Sequence, residues 1–511
     1  MNPYAAYKTF FGDIHYHCGI SYAHGSLEDA LNNARQRLDF VSVTGHAHWP
    51  DMPPPDEQIQ YIIDFHEEGF AKLKAGWGRM LETLRAFNSE GSFIVYPGFE
   101  VHFTATGDRN IVYRDLSGEI LYPTNLADLH GQLRSLRQQG VESFAQPHHL
   151  GYRKGTRGVD WDSFSDEFAP FVEMLSMHGC SESNENTRPF LHSMGPSDYE
   201  STIQRGLERG LVFGFSGGTD HHSAHPGSFG HGLTGVWAED LSREAIWDAL
   251  ANRRMYALTG DRMDICFAVN DAPMGAVISR DQKRRIAFGI AAGAAIDCID
   301  VLRDGQLVKR FSQYDFNAAD TGDLIRTKIF LEVGWGARHK STDWLIELGI
   351  SDGAILAVEP RFRGMEVVAP TEATEVDGYV HSRVVDTRAS SVVFETRTSG
   401  NPNNSTPAMQ GMCLHVEVPR TAVVQAVMNG TTVNWPIEAL IAGARTGHLG
   451  DIDSSAWRFH RAPLEHEWNW SGEWHDEGSA DASYYLRVRQ RNDQWAWTSP
   501  VFLRADVGGG R

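Results

Sequence analysis

The sequence predicts an α/β fold, a seven-unit (β/α) TIM-like barrel, followed by an all-β domain of sandwich type. Over the first ~260 residues, short strand-like stretches alternate with longer helix-like ones, as in folds built from βα units. After Arg262, apolar and polar residues alternate, turn signals recur at Asp304-Gly305 and Asp352-Gly353, and helical periodicity becomes scarce. We therefore predict a barrel over residues 1–262 and a β-rich part over 263–511.

The barrel strands and helices follow from these patterns in order. The predicted strands are Gly12–His17, Phe40–Thr44, Phe93–Phe99, Glu142–Gln146, Val172–Met177, Val212–Ser216 and Gly235–Ala238. The predicted helices are one capped by Ser26, then Glu57–Phe87, Leu126–Gln138, Tyr199–Arg209 and Arg243–Asn252.

In the β-rich part, we predict one domain over about 263–503 and a short Gly-rich tail. Residues 360–411 contain Thr, Ser, Asn and Pro clusters, which favour an insertion or long loops within that domain.

The overall composition is that of a soluble globular protein. The chain has 511 residues, 41% of them apolar and 22% charged, with 46 basic against 66 acidic side chains and a net charge of −20. That charge argues against non-specific nucleic-acid binding, which needs a basic surface. The longest apolar run, Ile286–Ile296, is too short to span a bilayer, and the N-terminus has no signal-peptide pattern. These features predict a cytoplasmic protein without a membrane partner.

Histidine and acidic residues cluster where the predicted strands end. Sixteen of the 23 histidines lie within residues 1–231. Residues two apart on a strand point to the same side, so His15 and His17 share a face. Barrel enzymes build their active sites at the carboxyl ends of the strands. Six successive predicted strands carry such residues at or near that end: His15, His17, His46, Glu100, His102, His148, His149, His178, Asp220, His221 and His222. Glu173 lies within the fifth of these strands.

Imidazoles and carboxylates that converge in one place suit Zn, Mn or Fe. A single H-x-H or D-x-H motif is more often a coincidence or a surface pair, and a lone buried histidine often bonds only to backbone. The ordered set at six strand ends favours the metal-site interpretation.

Four motifs together resemble those of a known family. They are Phe11-Gly-Asp-Ile-His-Tyr-His, Gly107-Asp-Arg-Asn-Ile-Val-Tyr-Arg-Asp, Gly218-Thr-Asp-His-His and Tyr256-Ala-Leu-Thr-Gly-Asp-Arg. With the strand-end residues, they resemble the PHP superfamily of metallohydrolases (the polymerase and histidinol phosphatase group), and most closely a PHP-like bacterial family of unknown function.

The resemblance implies a distorted seven-stranded barrel that holds two or three divalent metals. It implies that His15, His17, Glu100 and Asp220 hold the first metal, and that Glu100 bridges to a second completed by His148 and His178. It assigns the third metal to His24, His46 and His222.

Three positions depart from the superfamily pattern. Gly45 replaces the usual Asp of a T-D-H motif, Ala23 stands where Asp or His is common, and Gln146-Pro147-His148 replaces His-Pro. Both His148 and His149 therefore remain candidate ligands, and a dinuclear centre is compatible with all three departures.

Other residues are candidates for substrate binding and proton transfer. Arg109 follows the third strand, and Arg153, Lys154 and Arg157 form a basic run after the fourth. Guanidinium groups recognise phosphate or carboxylate, although a charge run is equally often only solvated. His221 and His225 flank the Asp220 motif and are candidates for a general acid or a substrate contact. Cys18 directly follows H-x-H and could be a nucleophile, but the sequence favours a packing role for it as a small buried residue of the barrel.

The sequence therefore predicts a metal-dependent hydrolase, most specifically a phosphoesterase that uses a metal-activated hydroxide. Asp220, His221 and Arg109 are the predicted catalytic residues, and Arg109, Arg153, Lys154 and His225 the predicted substrate contacts. We expect two or three Mn, Zn or Fe ions, no organic cofactor and a small anionic substrate. One alternative is a hydrolase or lyase acting on a carbon electrophile such as an ester, amide or lactone. Another is a degenerate barrel that acts as a binding protein.

Overall fold

The computed structural model describes residues 3–192, 195–316, 322–334, 339–365, 382–398 and 409–505. Over these ranges the fold is mixed α/β and rich in strands. The N-terminal strands are β1 (Lys8–Tyr16), β2 (Phe40–His48), β3 (Ile94–Val101), β4 (Arg109–Tyr113), β5 (Ser143–Pro147), β6 (Phe171–Ser176), β7 (Gly179–Cys180), β8 (Leu191–His192), β9 (Gly195–Pro196), β10 (Gly214–Gly217), β11 (Leu233–Ala238) and β12 (Met255–Leu258). All seven predicted strands are present, with ends shifted by a few residues.

The helices of this part lie close to their predicted positions. They are α1 (Leu27–Ala34), α2 (Gln60–Phe87), α3 (Leu126–Gln138), α4 (Ile203–Glu208) and α5 (Arg243–Ala251). Ser26 caps α1 as predicted, since its hydroxyl accepts a hydrogen bond from the backbone N–H of Asp29 at 3.0 Å. The predicted helix Tyr199–Arg209 is divided into a 3-10 turn, Tyr199–Ser201, and α4.

The predicted closed barrel is not found among the described residues. The N-terminal strands of the large sheet run in the order β12-β11-β1-β2-β3-β4-β5, and β6 lies in a separate sheet ordered β10-β6-β7. Strands β1, β2 and β3 are parallel, but β4 forms an antiparallel hairpin with β3, and β11 is antiparallel to β1. These antiparallel strands interrupt the βα repeat that a regular barrel requires.

The two sheets meet where β10 approaches β11. The Thr234 hydroxyl accepts from the backbone N–H of Gly217 at 3.1 Å and donates to its carbonyl at 2.7 Å. The segment after β10 continues beside β1, because Asp220 N–H donates to His15 O and His17 N–H donates to His221 O. The ends of β1 and β10 are therefore held together without a continuous strand ladder.

The central region of the C-terminal part is a β-sandwich, as predicted. One of its five-stranded sheets contains Ala354–Arg361, Gln410–Pro419, Leu324–Gly334, Ala456–Phe459 and Arg445–His448. The other contains Arg383–Thr387, Ser391–Thr398, Thr342–Ile350, Val423–Met428 and Thr431–Pro436. Inward-facing residues of both sheets, including Leu331, Leu414, Ile346 and Phe394, share one apolar core. Two short helices, Ile437–Ala442 and Glu465–Trp468, lie within and beside it.

The predicted insertion at 360–411 is partly described. Arg383–Thr387 and Ser391–Thr398 within it are strands of the sandwich, which differs from the predicted loops. Residues 366–381 and 399–408 of that insertion lie outside the described residues, as does the predicted tail from residue 506.

The strands that flank the sandwich belong with the N-terminal part, so the predicted boundary at residue 262 does not separate the sheets. Strand β12 pairs antiparallel with Trp495–Thr498, which pairs with Ala482–Gln490. The same large sheet also contains Val501–Arg504, Val277–Ser279, Ile296–Arg303 and Gln306–Ser312. A four-stranded sheet of Ala272–Pro273, Asp264–Val269, Lys283–Ala291 and Asn469–Glu477 packs into the same core. A further 3-10 turn covers Gln313–Asp315.

Among the described helices, none has both the length and the apolar character needed to span a membrane.

Candidate metal centre

The carboxyl ends of β1, β2, β3 and β5, with the loops after β6 and β10, bring imidazoles and carboxylates into one cluster. Potential ligand atoms fall into overlapping groups of three that lie within 4.8 Å of one another. These groups include His15–His148–His149, His17–His46–His222, His15–His17–Asp220, His46–Glu100–His102 and His149–His178–Asp220. Nine of the ten predicted metal ligands are therefore neighbours, together with His102.

Asp220 is a centre of the cluster. Its Oδ1 lies 3.0 Å from His17 Nε2 and 3.4 Å from His15 Nε2, while its Oδ2 lies 2.7 Å from His149 Nε2 and 3.1 Å from His178 Nε2. Burial alone would raise the pKa of Asp220, but the imidazoles of His15, His178 and His149 hold that pKa well below its ordinary value. The backbone of Asp220 has φ +52°, a left-handed conformation that Asp tolerates better than most residues.

Glu100 is the second centre. Its Oε1 lies 3.1 Å from both His148 Nε2 and His102 Nδ1, and its Oε2 lies 3.4 Å from His17 Nε2 and 3.6 Å from His46 Nε2. Burial would raise the pKa of Glu100, but His148, His102 and His46 hold it well below its ordinary value. Each carboxylate therefore stays ionised inside a ring of imidazoles.

The geometry differs from the ligand sets that the family resemblance implies. In the implied ligand sets, Glu100 bridges to a second metal, and His148 and His178 are the other ligands of that metal. In the structure, Glu100 contacts His148, whereas His178 and His149 contact Asp220. Burial and the neighbouring His149 lower the pKa of His148 to about 3. Burial also acts on His149, but Asp220 and the Asp108 carboxylate, which lies 3.6 Å from His149 Nδ1, raise its pKa to about 9.

A third group lies on the other side of His17. The His46 ring stacks on the His17 ring at 3.9 Å between centroids, and Tyr22 stacks on His46 at 3.7 Å. The Nδ1 of His222 bonds to the carbonyl of Asp220 at 2.8 Å, which leaves its Nε2 as the atom available to a metal. Burial, followed by the neighbouring imidazoles, lowers the pKa of His46 and His222 well below the ordinary value. Both rings are therefore neutral, the form that binds metal.

Two buried ligand atoms without hydrogen-bond partners in the described part of the chain show that the cluster suits a divalent cation. Among the described residues, Nε2 of His15 and Oε2 of Glu100 are buried without a hydrogen-bond partner. Buried polar atoms are normally satisfied, so a converging set of unsatisfied acceptors is the arrangement that a cation would complete.

Glu173 orients the first ligand. Its Oε2 lies 2.6 Å from His15 Nδ1, so His15 directs Nε2 toward Asp220 and Glu100. When a metal-binding histidine donates its other ring N–H to a carboxylate, that hydrogen bond fixes the tautomer and the orientation of the ring. The sequence placed Glu173 inside the fifth strand but did not assign it a ligand role.

Asp108 and Arg157 form a buried ion pair beside Glu100. Arg157 Nε lies 2.6 Å from Asp108 Oδ2, and the guanidinium lies 3.7 Å from Glu100 Oε1. Asp108 also accepts from the backbone N–H of Phe103 at 2.8 Å and lies 3.3 Å from His102 Nδ1. Burial would raise the pKa of Asp108, but Arg157 and His102 hold it well below its ordinary value. The sequence identified Arg157 only as one member of a basic run.

Three predicted substrate contacts have other surroundings. The buried guanidinium of Arg109 donates to the carbonyls of Gly107 at 2.7 Å, Asp108 at 3.0 Å and Thr106 at 3.3 Å. Arg109 therefore holds the loop that carries Asp108, and its role as an anion ligand stays a prediction. Arg153 is exposed, and Lys154 is half exposed and lies 2.7 Å from Asp160.

His221 and His225 lie under the C-terminal part. The His221 ring is fully buried, accepts from Ser223 N–H at 3.2 Å and lies 5.3 Å from the His231 ring. A Cβ built on Gly364 would lie 2.4 Å from the His221 ring and 2.6 Å from the Cβ of His225. This enclosure differs from the predicted contact with substrate, and their catalytic roles stay predictions.

Two further predicted residues lie next to the cluster. The backbone N–H of His24 donates to the carbonyl of His222 at 2.9 Å, which places His24 beside the third group. Cys18 is fully buried, and burial raises the pKa of its thiol to about 12. A thiol that holds its proton so strongly is a poor nucleophile, so Cys18 is a packing residue.

Comparison with known proteins gives relatives of unknown function. A family model described as "Protein of unknown function (DUF3604)" matches residues 227–297. An uncharacterized protein of Chlamydia muridarum is 34% identical over 171 residues, which are 30% of this chain and 28% of that protein. Uncharacterized proteins of Chlamydia trachomatis and Chlamydia pneumoniae are 31% identical over 208 residues and 28% identical over 257 residues. Those matches cover 37% and 46% of this chain and 32% and 40% of the relatives, so this chain spans less than half the length of each.

A solved structure from Bacteroides vulgatus is also similar. It is described as a two-domain protein containing a predicted PHP-like metal-dependent phosphoesterase. The likeness has a TM-score of 0.33 at 16% sequence identity, and it covers 63% of this chain and 82% of that one.

Proposed function

We propose that this chain is a metal-dependent hydrolase of phosphoesters with a dinuclear or trinuclear centre. One observation carries the proposal: Asp220 and Glu100 lie 3.0 and 3.4 Å from the same nitrogen, Nε2 of His17, and each also contacts further imidazoles that the other does not. An imidazole nitrogen binds one ion, so the shared histidine joins both carboxylates at a common ion. The separate imidazoles on Glu100 Oε1 and on Asp220 Oδ2 leave each carboxylate a second oxygen for an adjacent ion.

The residues that would hold the ions follow from these contacts. His15 and His17 lie between the two carboxylates. His149 and His178 extend the Asp220 side, His148 and His102 extend the Glu100 side, and His46 and His222 form the third group. We propose His24 as an additional ligand only at this third group.

The chemistry divides between the ions and the protein. Divalent ions lower the pKa of a water molecule and neutralise negative charge on a phosphoryl oxygen. The chain keeps His46, His148 and His222 neutral by burial, and it keeps Asp220 and Glu100 ionised. Glu173 fixes the orientation of His15, and Arg157 balances the charge of Asp108.

The test is metal analysis of the full chain combined with a substrate panel. We expect at least two metal ions per chain after growth with Mn, Fe and Zn, and turnover of phosphomonoesters or phosphodiesters that a chelator abolishes and metal restores. Fewer than two ions would refute the multinuclear centre. Cleavage only of esters, amides or lactones by the loaded protein would replace the phosphoester assignment by the carbon-electrophile alternative.

A further inference from the structure

A cavity outside the metal centre lies where the sandwich meets the rest of the molecule. Its volume is about 440 Å³. The sandwich contributes Lys328, Phe330 and Arg458, the loop after β10 contributes Phe229, and the flanking strands contribute Arg491. The cavity is therefore assembled from three parts of the chain that are distant in sequence.

The lining of this cavity is strongly basic. It contains Lys328 and five arginines but a single carboxylate, Glu332, among the described residues. The side chain of His460 already bonds to Glu332 at 2.9 Å. The chain as a whole has a net charge of −20, so a concentration of cations on one concave surface is opposed to its overall charge.

Some of these cations are neutralised by neighbouring carboxylates. Arg361 lies 3.0 Å from Asp261 and 3.2 Å from Glu359, and Arg461 pairs with Glu467 through both carboxylate oxygens. These ion pairs account for two of the five arginines.

Lys328 and Arg458 are different. Within the described ranges, neither side chain has an ion pair or a hydrogen bond. The Lys328 ammonium instead lies 4.6 Å from the centre of the Trp468 ring, and burial lowers its pKa. A half-buried cation without an anion costs free energy, which a bound anion would offset.

We propose that this cavity binds a small multiply charged anion that carries carboxylate or phosphate groups. Lys328 and Arg458 are its principal contacts, because no neighbouring carboxylate among the described residues already neutralises them. The volume accommodates an anion the size of a tricarboxylate or a phosphate ester rather than a polymer.

The cavity is connected to the metal centre by one short segment. Arg361 and Arg363 line the cavity, and the residues that follow bind the loop after His222. Phe229 N–H donates to Phe362 O at 2.9 Å, and Gly364 N–H donates to Ser228 Oγ at 3.0 Å. The segment that lines the cavity is therefore hydrogen-bonded to the loop that begins beside Asp220 and His222.

The experiment is calorimetric titration of the purified full-length protein with tricarballylate and, separately, with inorganic phosphate. We expect saturable binding of at least one anion, with the affinity reduced about tenfold by Lys328→Met and by Arg458→Gln, since each removes a charged contact. Arg458 is exposed, so R458Q is expected to fold normally. The matched control is Arg326→Gln, which removes one positive charge two residues from Lys328 on the same strand but outside the cavity.

The arms of this experiment separate the possible results. A stronger response to tricarballylate identifies a carboxylate ligand, and a stronger response to phosphate identifies a phosphorylated one. Binding that is unchanged in both K328M and R458Q would overturn the proposal, because any phosphate bound at the metal centre would survive those substitutions. The absence of binding of either anion in the millimolar range would overturn it as well.

Discussion

At the scale of single residues, Glu173 decides how His15 faces the cluster. Its carboxylate lies 2.6 Å from His15 Nδ1, and both side chains are buried. Glu173→Gln keeps the shape but loses the charge that fixes the histidine tautomer. We expect a 10- to 100-fold loss of metal affinity or turnover, in the range typical of such outer-shell carboxylates. Metal titration with spectroscopic or calorimetric detection measures it.

A matched control is available at Glu182. This buried glutamate accepts hydrogen bonds from Tyr485 at 2.8 Å and from Trp497 at 2.9 Å, outside the metal cluster. Glu182→Gln is expected to lower thermal stability while it leaves metal affinity unchanged. If E173Q and E182Q bound metal equally well, Glu173 would have only a packing role.

Arg157 is the second position that we test at this scale. Arg157→Met leaves Asp108 as a buried charge without its cation, and removing one partner of such a pair typically costs about 3–5 kcal/mol. We therefore expect a clear fall in the unfolding free energy measured in urea, together with weaker metal binding.

Arg209→Met is the control. It removes an arginine that is paired with the exposed Asp162, and we expect the unfolding free energy to change by less than about 1 kcal/mol. Equal losses in R157M and R209M would contradict this interpretation of Arg157.

The sequence could predict those ligands whose position on a strand, or at its end, follows from local periodicity. His15 lies near the end of β1 and His17 directly follows that strand, while His46, Glu100 and His148 stand at strand ends, so each follows from a local pattern. Arg157 and Asp108 could not be assigned in this way, because their contact depends on how the loops after β3 and β5 fold over each other. The surroundings of Arg109 could not be predicted either, because no sequence pattern reveals the three backbone carbonyls to which its guanidinium donates.

At the scale of elements, the close approach of β1 and β2 depends on a residue without a side chain. Gly12 lies opposite Phe40 in the parallel register, and a Cβ there would lie 2.4 Å from the Phe40 ring and 2.5 Å from its carbonyl oxygen. Gly12→Ala must therefore displace one of the two strands. We expect a loss of about 1–3 kcal/mol in unfolding free energy, as for other overpacked cores.

Gly76→Ala is the control for this substitution. Gly76 lies within α2, and a Cβ there meets no atom within 4 Å. Alanine favours the helix over glycine, so we expect G76A to raise the unfolding free energy by about 0.5–1 kcal/mol. Urea unfolding of both variants gives the comparison. A G12A protein as stable as the wild type would show that β1 and β2 can separate without cost.

Helix α3 carries a histidine whose titration affects stability. Burial, followed by the nearby Arg109 and Arg134, lowers the pKa of His130 from 6.5 to about 4, and its ring stacks on Phe168. Between these two pH values the unfolded chain binds more protons at this site than the folded chain. This contribution to stability is therefore complete above pH 6.5 and is lost as the pH falls toward 4.

His130→Phe tests this linkage because it keeps the stacking on Phe168 and removes the titrating group. We expect the melting temperature of H130F to fall less than that of the wild type as the pH is lowered from 6.5 to 4. Parallel melting curves over this range would show that His130 makes no such contribution.

The sequence predicted every strand of the βα pattern but not the connections between the sheets. Strand β4 is five residues long and begins within the Gly107-Asp-Arg-Asn motif, so no local signal distinguishes an antiparallel hairpin from a loop. Closure was expected because regular βα repeats close into barrels. Among the described strands, closure is missing at two places: β5 and β6 lie in different sheets, and β10 contacts β11 through the Thr234 side chain instead of through a backbone ladder.

At the scale of the whole molecule, the change in residue pattern at residue 262 marks the beginning of a β-rich region, but residues from both sides of it pack in one core. The core shared by β6 and β10 includes Phe215 and Ala257 from the N-terminal part and Tyr485 and Trp497 from the C-terminal part. The Phe215 and Tyr485 rings lie 5.3 Å apart. Only the three-dimensional pairing of distant strands shows this, because each segment alone follows an ordinary strand pattern.

This shared core predicts that residues 1–262 do not fold alone. Without the C-terminal strands, β12 would lose its partner Trp495–Thr498, and the backbone N–H of Phe215 would lose the Ser499 hydroxyl that accepts from it at 2.9 Å. Glu182 would lose its three partners Tyr485, Arg487 and Trp497. Exposed strand edges and large apolar surfaces favour aggregation.

We therefore expect the fragment 1–262 to be insoluble, or to lack a cooperative melting transition by circular dichroism. A chain ending at Ala505 keeps every described strand and should melt like the full chain, whereas a cooperative, metal-binding 1–262 fragment would establish an independent N-terminal domain.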